Sequence, residues 1–247
     1  MLTPSIIPIP QSLERREGTF LLDADTVLVA DACTSTAADA LANAIRPATG
    51  FIAKVAATSP KTGAAIVFSL DPALEELGAE GYRLDVTPLR VTLTAATQAG
   101  LFYAVQTLRQ LLPPEIFSAD PLYETAWRIP CVKIIDRPRF AWRGLMLDTG
   151  HDYQRLSYIL RFIDLMALHK FNVLHWHICD LGTFPLEIRG YPKLQNPETL
   201  TVRLRGPEKR AVKSGTYTQA EARAVVAYAA AHRTLSLNPR STHDRLG

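Results

Sequence analysis

The chain has 247 residues, 47% of them hydrophobic and 21% charged, with a net charge of +3. That is enough apolar material for a sizeable core in one large domain or two ordinary ones, and the positive charge is too weak and too dispersed to point to nucleic acid. Cys33, Cys131 and Cys179 are odd in number and far apart, so they suggest neither a disulfide framework nor a Cys-x-x-Cys metal knuckle. No apolar run approaches the roughly 18 residues of a membrane span. The opening MLTPSIIPIPQ lacks a basic segment and its apolar stretch is broken by proline, so a soluble protein, cytoplasmic as written, is expected; a lost leader would make it periplasmic or secreted.

In chain order, TFLLDADTVLVA (19–30) reads as two short strands joined at Asp23–Asp25. TAADALANAIR (36–46) has helical spacing, with Thr34 or Ser35 as its cap. AAIVFSL (64–70) is a short buried strand. GYRLDVTPLRVTLTAAT (81–97) alternates apolar and polar residues around Pro88 and predicts a hairpin, Tyr82–Val86 against Val91–Ala95. AGLFYAVQTLRQLL (99–112) predicts an amphipathic helix with Leu101, Val105, Leu108 and Leu112 on one face, stopped by Pro113–Pro114. This order predicts an α+β domain over 1–135, ending in a loop rich in proline and acidic residues (113–125).

The rhythm then changes. FAWRGLMLD (140–148) predicts a strand, RLSYILRFIDLMALHK (155–170) a helix with Ile159, Phe162, Ile163, Met166 and Leu168 largely on one side, and NVLHWHICD (172–180) a second strand. A long loop (181–217) leads to TQAEARAVVAYAAAHR (218–233), a helix whose Thr218 and Glu221 have capping-box spacing. LSL (235–237) is a candidate third strand. Strand, helix, strand, loop, helix, strand is the βα pattern of a parallel sheet or barrel.

Active sites in βα barrels gather at the carboxyl ends of the strands. Alternation puts His175 and His177 on one face and Trp176 on the other. Two histidines at this spacing occur in metal sites, with Asp180 as a further ligand; the other reading is a pair of histidines hydrogen-bonded inside a barrel mouth. Arg143 in an apolar strand needs a use or a partner: a planar donor fork for substrate hydroxyls, or an ion pair with Asp148 or Asp180. Gly144 beside it would admit a ligand or another backbone. Asp148, His151 and Asp152 follow the first strand and also read as solvated loop residues. Phe184–Pro185 and Tyr191–Leu194 either line a sugar site or pack the long loop down.

Three runs carry a resemblance: AGLFYAVQTLRQLL, RPRFAWRG and LMALHKFNVLHWH, flanked by IIPIPQSLERREGTFLL and FPLEIRGYPKL. Over about residues 5 to 232 the sequence resembles glycoside hydrolase family 20, the β-N-acetylhexosaminidases. The resemblance implies a small α+β domain followed by a (β/α)8 catalytic barrel, of which residues 136–247 would supply about three βα units. It implies removal of terminal β-linked N-acetylhexosamine from glycans or chitooligosaccharides, with retention. The substrate's acetamido oxygen attacks the anomeric carbon, a glutamate protonates the leaving oxygen, and the preceding aspartate steadies the acetamido group, an exception to the two-carboxylate scheme. Arg143 matches the arginine that binds sugar hydroxyls. Asp180 matches an aspartate that organises the site, with His177 beside it. The resemblance implies no metal and no cofactor.

The family's catalytic pair, an adjacent Asp-Glu, occurs nowhere in the 247 residues, so no catalytic acid is assigned. From residue 136 onward the chain has fewer than half of the roughly 250 residues of an eight-unit barrel, and RTLSLNPRSTHDRLG departs from the family after about residue 232. Leu181 stands where a second aspartate is common, and His151–Asp152 replace an Arg-His. The expectations are a truncated, inactive form produced by a frameshift or early stop, and an open barrel edge that promotes self-association. A noncatalytic N-acetylhexosamine-binding or assembly module is the alternative.

Overall fold

The structure is a computed structural model that describes residues 5–60, 62–150, 152–179, 185–195 and 215–237. It contains two compact units, divided between Ala141 and Trp142, where the sequence suggests 135/136.

The first unit is built on a seven-stranded sheet. Its strands are β1 (Ser12–Leu21), β2 (Val27–Val29), β3 (Lys54–Ala56), β4 (Ala65–Leu70), β5 (Tyr82–Val86), β6 (Arg90–Ala95) and β7 (Arg128–Asp136), in the order β1-β7-β5-β6-β4-β2-β3. The β1, β7, β5 and β6 pairings are antiparallel; those of β6, β4, β2 and β3 are parallel. The expected hairpin forms with Tyr82 opposite Ala95 and Val86 opposite Val91, because alternation buries Tyr82, Leu84, Val86, Val91, Leu93 and Ala95 on one face.

Two helices complete this unit, α1 (Ser35–Thr49) and α2 (Gln98–Leu111). Thr97 caps α2 by accepting from the amides of Ala99 and Gly100. The single apolar face expected for α2 is incomplete. Phe102, Tyr103, Ala104, Gln106 and Thr107 are buried as well, because α1 packs beside a helix that already lies on the sheet. Thr34 occupies the cap position of α1, yet its hydroxyl bonds Asp31 rather than the helix, and α1 runs on through Pro47 to a left-handed Gly50.

Sequence reasoning left β1 short and did not find β3 or β7. β1 starts at Ser12 rather than at residue 19, since an edge strand pairs on one side and exposes most of its side chains; only Phe20 is buried. β7 was not expected at all, although it is central, pairing with both β1 and β5. Pro130 breaks its pattern and lies opposite Thr19, beside the register shift between Arg15 and Thr19 where a lost N–H is tolerated.

The second unit holds β8 (Gly144–Asp148), α3 (Leu156–Leu168), β9 (Val173–His177), α4 (Gln219–Ala231) and β10 (Leu235–Leu237). The strands are parallel in the order β10-β9-β8. Leu147, Leu174 and Trp176 of the sheet bury with Ile159, Ile163 and Met166 of α3 and with Val225 and Ala229 of α4. The Thr218–Glu221 capping box forms in both directions and starts α4. Both long strands are shorter than expected: residues 140–143 precede β8, and Ile178 and Cys179 follow β9. Among the described residues no helix is long and apolar enough to cross a membrane.

Candidate functional site

The carboxyl ends of β8 and β9 bring the polar residues of the second unit together. Met146 pairs with His175 and Asp148 with His177, while Leu147 pairs with Trp176. Trp176 turns into the helix layer and is buried. His175 and His177 share the opposite face, as alternation requires, with ring centroids 6.0 Å apart and planes at 77°. Met146 on that face is 59% exposed. Gly150 N donates to Asp148 Oδ1 at 2.9 Å, which fixes the carboxylate at the strand end. Among the described residues no group of three or more His, Cys, Asp or Glu side chains could hold a metal ion. Asp180, Leu181, Phe184 and His151 lie outside the described residues. Asp152 accepts from the Gln154 side chain at 3.2 Å, and Tyr191 is exposed ahead of a short 3-10 helix, Pro192–Gln195.

Beneath this end lies a network absent from the sequence reading. Trp176 Nε1 donates to Thr149 Oγ1 at 2.9 Å, and Thr149 N donates to the His177 carbonyl at 2.8 Å. Tyr217 is fully buried, 4.9 Å from Trp176 and 4.7 Å from Tyr153, ring centre to ring centre. Its hydroxyl donates to the Gln154 carbonyl at 2.6 Å and accepts from the Gln154 amide at 3.2 Å. Burial pushes its phenol up to about 12. One sequence signal could have found it: Tyr217 directly precedes the Thr218 cap, where a hydrophobic side chain staples a helix entry, and Ala222 at the matching N4 position packs on the same core.

Arg143 stands at the other end of the sheet. It precedes β8, so five strand residues, about 16 Å, separate it from the rim. Its amide donates to Asn172 Oδ1 at 2.9 Å and its Nε donates to the Lys170 carbonyl at 2.7 Å. Asn172 returns a bond from its own amide to the Arg143 carbonyl at 2.9 Å. Two expectations for Arg143 are therefore corrected: the strand begins one residue later, and the arginine, held by the turn that precedes β9, lies at the amino end of the sheet and not at the rim where a sugar would bind. The space above Gly144 is not open either, since an added Cβ would lie 2.9 Å from the Trp142 indole nitrogen.

Residues 3–137 match the family description "Glycosyl hydrolase family 20, domain 2", and residues 140–236 match "Glycosyl hydrolase family 20, catalytic domain". The chain belongs to glycosyl hydrolase family 20. A beta-hexosaminidase of Porphyromonas gingivalis is 33% identical over 226 residues, which are 91% of this chain and 28% of that protein. A beta-hexosaminidase of Vibrio furnissii is 32% identical over 238 residues, 92% of this chain and 36% of that one. A mutant Streptomyces plicatus beta-hexosaminidase in complex with product (GlcNAc) superimposes with a TM-score of 0.79 at 33% identity, over 94% of this chain and 44% of that chain. The family 20 chain described here thus spans about a third of the length of these curated relatives.

Proposed function

We propose that this chain carries the sugar-anchoring part of a family 20 β-N-acetylhexosaminidase. The observation that carries the reading is the face at the carboxyl ends of parallel strands lined by Met146, Asp148, His175 and His177. On this reading β8, β9 and β10 with α3 and α4 open a (β/α)8 barrel. A terminal N-acetylhexosamine, the end unit of a glycan or chitooligosaccharide, is received at the carboxyl ends of these strands, where Asp148 accepts from its hydroxyls. His177 organises the rim. The relatives' names and the GlcNAc held by the Streptomyces plicatus protein support this substrate class.

Cleavage by the family's substrate-assisted route needs an adjacent aspartate and glutamate, and the 247 residues contain no such pair. The behaviour expected of these residues alone is weak sugar binding without turnover. The test is a titration with N-acetylglucosamine followed by the NMR signals of the sugar. Millimolar saturation is expected, weakened about tenfold or more in Asp148→Ala, since a charge-assisted hydrogen bond carries roughly that much affinity. Equal saturation by glucose, or native-like binding by Asp148→Ala, would remove the proposal.

A further inference from the structure

We infer that Thr149 is the positioning residue for the Asp148 carboxylate, acting through its hydrogen bond with the Trp176 indole. The inference rests on the reading of Asp148 as the sugar acceptor and adds what holds it in place. Thr149 is the first residue beyond β8, and alternation turns its side chain away from the face that Asp148 shares with His175 and His177. It is fully buried beside Trp176, where its hydroxyl accepts from the indole Nε1 at 2.9 Å. Its amide donates to the His177 carbonyl at 2.8 Å, and its hydroxyl donates to the same oxygen at 3.4 Å. The backbone that follows Asp148 is thus pinned to β9 through a side chain and through a carbonyl.

Pinning that backbone decides where the carboxylate sits. Gly150, next along the chain, donates its amide to Asp148 Oδ1 at 2.9 Å, a turn in which an aspartate side chain accepts from the backbone two residues on. The bond forms only when the peptide between Thr149 and Gly150 faces back toward the strand end. With Thr149 fixed, the carboxylate is oriented before any sugar arrives, which lowers the ordering cost of binding. A valine would fill nearly the same buried volume, but only a hydroxyl can accept from the indole. Thr149 acts on the sugar through Asp148 alone, because its own side chain is fully buried.

The experiment reads the carboxylate as well as the sugar. In the full chain, the Gly150 amide should exchange with water about tenfold more slowly than in Asp148→Ala, which removes its acceptor. Thr149→Val should remove most of that protection and weaken N-acetylglucosamine binding about fivefold. Thr149→Ser keeps the hydroxyl and should restore both. Trp176→Phe removes the indole donor instead and should repeat both losses. On the Asp148→Ala background, Thr149→Val should change binding by less than about twofold, because no carboxylate is left to position. A native Gly150 amide that exchanges as fast as that of Asp148→Ala overturns the inference even if no Thr149 variant folds. So does native exchange in Thr149→Val, or an equal loss of binding on both backgrounds. A Gly150 amide that is protected in the native chain and released in Thr149→Val, with no sugar binding by either, would instead sink the functional reading and leave the positioning geometry standing. Sugar binding in Thr149→Val equal to native would overturn the inference while sparing the function.

Discussion

Replacing Tyr217 with phenylalanine removes one oxygen and keeps the ring between Trp176 and Tyr153. The lost hydroxyl served both backbone groups of Gln154, at 2.6 Å and 3.2 Å. At about 1 kcal/mol for each net hydrogen bond, the cost is about 2 kcal/mol. Alkali supplies a second, independent reading. The phenol is raised to about 12 in the folded chain from an ordinary 10.0. Below pH 10 both folded and unfolded states keep the proton and the native advantage is complete. Between pH 10 and 12 the unfolded state releases it first, so native stability falls, by roughly 2 to 3 kcal/mol over that window. The phenylalanine variant has no proton to lose there. Its deficit should therefore be full at pH 8 and close by pH 12. The assay is urea unfolding followed by Trp176 fluorescence, with Trp127 and Trp142 replaced by phenylalanine in both proteins. A deficit near zero at pH 8, or one that stays constant through pH 12, would refute the reasoning.

Two further substitutions probe the frame that carries the site. Gly100→Ala places a methyl group against the Gly81 carbonyl and 2.7 Å from Ala95 Cβ; the first contact is backbone and cannot yield, so a loss of about 1–3 kcal/mol is expected in amide exchange of β5 and β6. Thr218→Ala breaks the capping box and should lower protection in the first turn of α4 by about 1 kcal/mol, with β5 and β6 unchanged as an internal control. Uniform loss across both units in either variant would contradict the local origin assigned to these contacts.

What the sequence made legible was the part governed by neighbours in the chain. The β5–β6 hairpin was readable because alternation and Pro88 act within a few residues, and the α4 cap because Thr218 and Glu221 meet across one turn. The His175–Trp176–His177 alternation was readable for the same reason. What escaped depends on partners far away in the chain. β1 is polar because it is an edge, and β7 is a strand because β1 and β5 flank it, neither of which shows in a local window. Burial around the whole of α2 needs α1, some fifty residues earlier, as its second neighbour. The partners of Arg143 follow from the left-handed turn at Lys170, a conformation that residue type does not announce. Tyr217 joins the site only because α4 begins where its ring can reach Trp176.

The central claim is that these residues hold an N-acetylhexosamine at the carboxyl ends of β8 and β9, beside Asp148, and do not cleave it by themselves. The most direct measurement incubates the purified chain and Asp148→Ala with a chromogenic aryl β-N-acetylglucosaminide while recording both saturable binding and release of the aryl group. The account predicts binding by the native chain, binding weakened about tenfold or more in the variant, and no release by either protein. Release by the native chain that disappears in Asp148→Ala would show a catalytic acid at this rim that the account does not contain. Absence of binding by the native chain would contradict the claim outright.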